Sequence, residues 1–178
     1  DELRRLIEEM EIRTAIIGCG GGGSNTVSRL SQVGVGEATL VAANSDARHL
    51  LSIRAPIRLI LGKETTRGLG AGSIPQVGRR AAEEARDEIR RYIEGCKIVF
   101  VTAGMGGGTG TGAAPYVAEM ARRNGSLVIG VVTLPFRSEG KVRMDNAMRG
   151  LEELKRHCDT TITIYNDQLL KLVPRLPL

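Results

Sequence analysis

Lys97-Ile98-Val99-Phe100-Val101-Thr102-Ala103 runs directly into Gly104-Met105-Gly106-Gly107-Gly108-Thr109-Gly110-Thr111-Gly112, and this junction decides the fold. The first part is a nearly unbroken apolar run, which reads as a strand buried on both faces of a parallel sheet. From Ala113 to Arg123 the apolar residues recur at helical spacing. Between the two stand six glycines and two threonines. Without Cβ atoms a backbone enters left-handed conformations and lets its N–H groups converge on an anion, and the following helix adds its positive end. Thr109 and Thr111 supply hydroxyl donors at the same place, so the loop is expected to hold phosphate oxygens. A merely flexible turn has no reason to alternate Gly and Thr between an apolar strand and an Ala-rich helix.

The same unit occurs earlier in the chain. Leu3, Leu6, Ile7 and Met10 share a face, predicting an N-terminal helix, and Ile12 to Ile17 reads as the first strand. Gly18-Cys19-Gly20-Gly21-Gly22-Gly23-Ser24-Asn25 follows as a second glycine loop, and Val27, Leu30 and Val33 continue as a helix that Gly34 ends. Ala38 to Ala43 and Ile57 to Leu61 read as strands, the former closing on Asn44-Ser45-Asp46. Residues 63 to 74 make a polar, Gly-rich connection whose length suggests a functional loop. Pro75 suits the first turn of one long helix, in which Val77, Ala81, Ala85, Ile89 and Ile93 step by four until Gly95.

Beyond the central unit, Ser126 to Thr133 is another apolar strand, broken by Pro135-Phe136. Met144, Ala147, Met148, Leu151 and Leu154 form the inner stripe of a helix starting near Ser138 or Glu139. Thr160 to Ile164 is the last strand, and Tyr165-Asn166-Asp167 turns into a short helical run that Pro174 stops. Strands alternating with helices in this way specify an α/β fold, a Rossmann-like parallel sheet with helices on both faces and right-handed crossovers. Such sheets bind ligands beyond the carboxyl ends of their strands. The glycine clusters, Asn44 to Asp46 and the turns near 134 to 139 and 165 to 167 all follow strands, so one site built from many loops is expected.

Composition narrows the function classes. The 178 residues suit one domain, and the 23 glycines are close to twice the roughly 7% of ordinary proteins. They cluster near 18 to 23, 68 to 72 and 104 to 112 instead of repeating with a period. There is no Trp and there are few aromatics, which argues against base-stacking platforms for single-stranded nucleic acid. The net charge of +5 is modest and interleaved, so no nucleic-acid partner is expected. Cys19, Cys96 and Cys158 are widely separated and read as reduced thiols of a cytoplasmic protein. No apolar run approaches the roughly 18 residues needed to span a bilayer, so no membrane insertion is expected.

Gly18-x-Gly20-x-x-Gly23 after a strand matches the dinucleotide fingerprint, with Asp46 near the position of a ribose-binding acid. A nicotinamide or flavin protein is therefore a rival. Against it, a dinucleotide fold has little use for a second anion loop at 104 to 112 or a third cluster at Gly68, Gly70 and Gly72. Several glycine loops around one site suit a mononucleotide triphosphate better. The usual P-loop with its lysine is absent, so phosphate charge must be met by backbone dipoles and a metal ion. Glu139 and Arg143, four apart at a helix start, read by themselves as a surface ion pair. His49 and His157 have no evident metal partner and read as surface or capping residues, and Asp159 as a turn residue.

Taken together, Gly18 to Asn25, Asn44-Ser45-Asp46, Thr66-Arg67-Gly68-Leu69-Gly70-Ala71-Gly72, Gly104 to Gly112, Pro135-Phe136 with Glu139 and Arg143, and Asn166-Asp167 resemble the FtsZ family, the prokaryotic cell-division GTPases of the tubulin superfamily. The resemblance runs from about Arg13 to Leu172. It implies GTP or GDP as ligand, with Mg²⁺. By the same resemblance Gly21, Gly22 and Asn25 touch the α- and β-phosphates and the nucleoside, with Gly20, Gly23, Ser24, Asn44 and Asp46 around them. Gly70, Ala71 and Gly72 sense the γ-phosphate. Gly107, Gly108, Thr109 and Gly110, with Gly104 and Gly106, cradle the β- and γ-phosphates beside Thr133 and Pro135. Glu139 and Arg143 hold the ribose region, and Asn166 contacts guanine.

The shared apolar face of the first residues makes 1–12 an N-terminal helical extension, and the resemblance implies a GTP-binding domain over 13–178. The family's central helix, acidic loop and C-terminal activation domain lie beyond the sequence, so the chain is expected to be one part of a longer protein. That longer form is expected to polymerise head to tail into a division ring and to hydrolyse GTP with acids supplied by the next subunit. By itself the chain is expected to hydrolyse little. A superfamily relative serving cell shape or plasmid positioning is the nearest alternative, and a scaffold without ligand a more distant one.

Overall fold

Six apolar, largely β-branched runs become the strands of one sheet in the computed structural model, which describes residues 1–172. They are β1 (Thr14–Cys19), β2 (Thr39–Asn44), β3 (Ile57–Ile60), β4 (Ile98–Gly104), β5 (Leu127–Leu134) and β6 (Thr160–Tyr165). The spatial order is β3-β2-β1-β4-β5-β6, with every neighbouring pair parallel. The chain thus starts mid-sheet, runs to one edge, returns to lay β4 beside β1, and fills the other edge. β1 and β4 are neighbours whose following connections leave in opposite directions, and a crevice opens there at their carboxyl ends.

The helices are α1 (Glu2–Met10), α2 (Gly20–Val33), α3 (Ala47–Ser52), α4 (Pro75–Glu84), α5 (Arg86–Ile93), α6 (Thr109–Arg123), α7 (Lys141–His157) and α8 (Asn166–Leu169), with a 3₁₀ turn at Arg137–Glu139. Alternate strand residues face opposite layers. Ala15, Ile17 and Cys19 of β1 join Val99, Val101 and Ala103 of β4 in the larger core, which α4 to α7 cover with Ile89, Val117 and Leu154. Ile16 packs on the other side against the smaller core of Val27, Leu40, Ala42 and Leu50, under α2 and α3.

Several features depart from the periodicity reading, among them α7, which starts at Lys141 after the 3₁₀ turn and not near Ser138 or Glu139. The first strand begins at Thr14, not Ile12, and extends through Cys19, because its ladder with β4 continues to the pair Cys19 and Ala103. The long helix after Pro75 breaks at Ala85 (φ −91°, ψ 16°). A second helix starts at once with Asp87 and Glu88 in its first turn and Arg90 and Arg91 in its last, charges that suit a helix dipole of its own. Ala81, Ala85, Ile89 and Ile93 are nevertheless all buried, so one apolar stripe spans the break. Helix α3 was not expected, although Asp46 caps it by accepting the His49 N–H. The N-terminal helix forms, with Asp1 as its cap, but buries none of its residues. Pro174 lies outside the described residues.

The break also positions the 63 to 74 connection. Glu84, closing α4, accepts the Glu64 N–H at 2.8 Å, the Thr65 N–H at 3.1 Å and the Thr65 hydroxyl at 2.7 Å. The Glu64 backbone bond, then the Thr65 hydroxyl, hold this carboxyl below its ordinary range. A carboxylate with a lowered folded pKa stabilises the fold above its ordinary pKa, and that contribution is lost as pH falls through the folded value. Glu84→Gln is therefore expected to be less stable than the parent chain in urea melts near about pH 7, with the difference closing below about pH 4; a gap independent of pH would contradict this anchor.

Candidate functional site

At the crevice, β1 and β4 end side by side, Cys19 opposite Ala103. Helix α2 begins at Gly20 immediately after β1, and α6 begins at Thr109 after the turn Met105 to Gly108. Gly20 has φ +73°, and a Cβ placed on it would stand 2.6 Å from the backbone nitrogen of Gly110. Only glycine permits this approach, by which the first turns of two helices touch backbone to backbone. Neither N-cap residue, Cys19 or Gly108, provides a side-chain hydrogen bond. The first N–H groups of a helix have no intrahelical acceptor, so both helix starts offer donors and positive potential at one point. The run Gly20 to Gly23, expected as a loop, is thus the first turn of α2. Gly23 packs against the Thr102 carbonyl of β4, which seats this turn on the sheet.

The turn before α6 is held from behind. Met105 N–H donates to the Thr133 carbonyl at 2.9 Å, and Gly106 N–H to the buried Thr111 oxygen at 2.8 Å. The hydroxyls of Thr109 and Ser45 share a buried hydrogen bond of 2.6 Å. Both threonine side chains, expected as phosphate donors, thus have partners inside the protein, Thr109 in Ser45 and Thr111 as acceptor of the Gly106 N–H, and what the two helix starts themselves present to the cleft is backbone N–H groups. The connection after β3 is fastened to the same segment: Gly70 N–H donates to the Ser45 carbonyl and Ala47 N–H to the Gly68 carbonyl, each at 3.1 Å. The buried Thr66 hydroxyl donates to the Gly62 carbonyl at 3.1 Å.

These elements enclose an open cleft of about 440 Å³. Of the expected residues, Gly21, Gly22, Asn44, Asp46, Gly70 and Gly72 line one side. Gly104, Gly107, Gly108, Thr109, Gly110 and Thr133 form its floor, and Pro135, Glu139, Arg143 and Asn166 the far wall. Gly20, Gly23, Ser24, Asn25, Ala71 and Gly106 do not line it. Gly23 and Ser24 are buried under the turn, the Ser24 hydroxyl having no hydrogen-bond partner among the described residues. Ala71 packs behind Gly108, and Gly106 sits against Arg143 and Pro135. Asn25 is exposed at the rim, tied to His49. His49, Leu69 and Met105 line the cleft without having been anticipated.

On the far wall Glu139 accepts the Phe136 N–H at 2.6 Å, and its other oxygen lies 3.2 Å from Arg143 Nε. Arg143 Nε is shielded from solvent and not aligned with that oxygen as a hydrogen bond. The two residues are thus both an ion pair and part of the cleft. Asp167 accepts the Arg137 N–H at 3.3 Å, tying the 3₁₀ turn to the start of α8. Among the described residues no three His, Cys, Asp or Glu side chains converge to hold a metal ion. Burial pushes the Cys19 thiol up to about 12, so it is inert beneath the glycine turn.

A larger groove of about 710 Å³ lies elsewhere, between α4, α5 and the later part of α6. It is lined by Arg79, Arg86, Arg90 and Tyr116 with Glu83 and Glu119, and its arginines are largely paired, Arg79 to Glu83 at 2.9 Å and Arg123 to Glu119 at 2.9 Å. It has no glycine turn, and its one helix start, Arg86 of α5, faces it without a second helix start or a glycine backbone beside it, so its size does not make it the stronger candidate. Among the described residues no helix is long and apolar enough to cross a membrane.

With this geometry in place, comparison with known proteins is specific. Residues 13–174 match the family model described as the tubulin/FtsZ family, GTPase domain. The chain is 52% identical, over its whole length, to cell division protein FtsZ 1 of Archaeoglobus fulgidus, of which it covers 48%. A solved structure of an FtsZ dimer from M. jannaschii superposes with TM-score 0.91 at 48% identity, over 99% of this chain and 52% of that one. GDP-bound CetZ1 from Haloferax volcanii superposes with TM-score 0.80 at 30% identity, over 88% of this chain and 52% of that one. The chain spans about half the length of the curated relatives it matches.

Ser45, absent from the expected residues, supports the floor of the cleft. Ser45→Ala leaves the buried Thr109 hydroxyl without its partner and is expected to cost about 1–3 kcal/mol in denaturant unfolding; a change within error would remove this bond from the account.

Proposed function

Because the chain belongs to the tubulin/FtsZ family, in the part that forms its GTPase domain, we propose that the cleft between α2 and α6 binds a guanine nucleotide through its phosphates. The observation that carries this reading is the contact of two uncapped helix starts at Gly20 and Gly110. Phosphate oxygens are the acceptors such paired N-termini lack. Gly21 and Gly22 take the α- and β-phosphates, and Gly107 to Gly110 the β- and γ-phosphates. Gly70 and Gly72 approach the γ-phosphate from the fastened connection, with Ala71 supporting Gly108 from behind. Glu139 and Arg143 hold the ribose region, and Asn25 and Asn166 the nucleoside.

Among the described residues only Asp46 and Glu139 bring carboxylates to the cleft, so the residues present fit a Mg²⁺ ion carried mainly by phosphate oxygens and water, where it offsets their charge. Asp46 accepts the His49 N–H through one oxygen, and Glu139 accepts the Phe136 N–H while its other oxygen faces Arg143, so both act here as anchors of the cleft walls. We therefore assign GTP hydrolysis to the longer protein, at sites completed by the next subunit of a head-to-tail filament, a heterologous contact that extends as it forms. The relatives near 50% identity carry the name of cell division proteins, which favours a role at the division site inside the cell over the cell-shape alternative.

The test is thermal unfolding of the chain with Mg²⁺ and, separately, GTP, GDP, ATP and NAD. A ligand that binds only the folded state stabilises it by about 2.7 kcal/mol at a hundredfold excess over Kd, or roughly 5–10 °C for a chain of this size. GTP and GDP are expected to give such shifts and ATP and NAD not. A shift with NAD alone, or with none of the four, would overturn the proposal.

A further inference from the structure

His49 enters the cleft wall from α3 and uses both ring nitrogens. Nδ1 lies 3.2 Å from Asn44 Nδ2, and Nε2 lies 3.1 Å from Asn25 Oδ1. Asn44 is only 3% exposed, and its Oδ1 accepts the Asp46 N–H at 3.3 Å. That bond decides which way the Asn44 amide faces: its NH₂ end meets the ring, so Nδ1 is the acceptor. A neutral imidazole carries one donor and one acceptor, and the proton is therefore on Nε2, donated to Asn25. The result is a one-way relay in which Asp46 N–H donates to Asn44, Asn44 to His49 and His49 to Asn25. A charged ring, with two donors, would set N–H against NH₂ at Asn44. Flipping Asn44 would repair that contact only by setting its NH₂ against the Asp46 N–H.

The free end of the relay is the NH₂ group of Asn25, an exposed residue in the second turn of α2 that nothing else described here orients. We propose that His49 is a positioning residue of the nucleotide cleft: by occupying the Asn25 oxygen it leaves the Asn25 NH₂ donors, and not its acceptor, for the bound nucleotide. This rests on the reading of the cleft as a guanine-nucleotide site. It assigns to a histidine outside every glycine motif a part in binding that it plays through a neighbour. A histidine that merely packs α3 would affect stability without reference to Asn25.

The experiment is calorimetric titration of the full 178-residue chain with GDP and Mg²⁺, for the parent, His49→Ala, Asn25→Ala, the double variant and His49→Gln, each with its melting temperature. Loss of one neutral hydrogen bond corresponds to about fivefold in Kd. His49→Ala is expected to weaken GDP binding by about that factor, and the double variant to bind no more weakly than Asn25→Ala. His49→Gln, whose amide nitrogen can replace Nε2 as donor, is expected to recover most of the affinity. Independent, multiplying losses, or a His49→Ala variant that melts lower yet binds like the parent, would overturn the proposal. A parent chain that binds no GDP would instead overturn the reading of the cleft on which it rests.

Discussion

Backbone lies against backbone where Gly20 opens α2 beside Gly110 in the first turn of α6, and the rest of the molecule is arranged around that contact. It requires β1 and β4 to be neighbours with crossovers leaving in opposite directions, which the sheet order supplies. It also requires a close seat for α2 on the sheet, which Gly23 provides against the Thr102 carbonyl and Gly18 against the Gly23 backbone. A glycine in a helix costs about 1 kcal/mol relative to alanine, and α2 begins with four of them. Burial of Val27 and packing of the turn on β1 and β4 offset that cost. What the arrangement gains is a surface of bare N–H groups with no side chain in the way.

Behind this surface, the Ser24 hydroxyl excepted, the polar groups that could compete for a ligand are engaged. Thr109 is held by Ser45, Thr111 by Gly106, and Asp46 by the start of α3. A floor whose hydroxyls and carboxylates are fixed does not reorganise when an anion arrives, which is the sense in which such sites are preorganised. The connection after β3 shares these anchors through Ser45 and Glu84, so the segment proposed to meet the outermost phosphate is coupled by hydrogen bonds to the floor beneath it.

Much of this could be read from the residues. Strands buried on both faces must be apolar along their length, so β4 and β5 stood out, and glycine clusters after strands pointed to one edge of the sheet. Other features lay beyond local pattern. Glycine disfavours helix, so Gly20 to Gly23 read as a loop, and tertiary packing overrode the propensity. The threonine hydroxyls read as phosphate donors because the partner of Thr109 is Ser45, 64 residues away. His49 looked unremarkable because its partner Asn25 is 24 residues distant. The break at Ala85 was hidden by a buried stripe that keeps its phase across it. Topology did not decide between nucleotide classes, since the strand order and the Gly-x-Gly-x-x-Gly turn are those of dinucleotide folds as well. The second glycine turn, after β4, and the family match separate them.

The paired helix starts are proposed to receive the phosphates. The most direct measurement is a two-dimensional amide NMR titration of the labelled chain with GDP and Mg²⁺. The largest shifts are expected on the N–H groups of Gly21, Gly22 and Gly107 to Gly110, with Gly70 and Gly72 responding further when GTP replaces GDP. Shifts concentrated instead in the arginine-lined groove around Arg79, Arg86 and Arg90, with the two glycine turns unmoved, would contradict it.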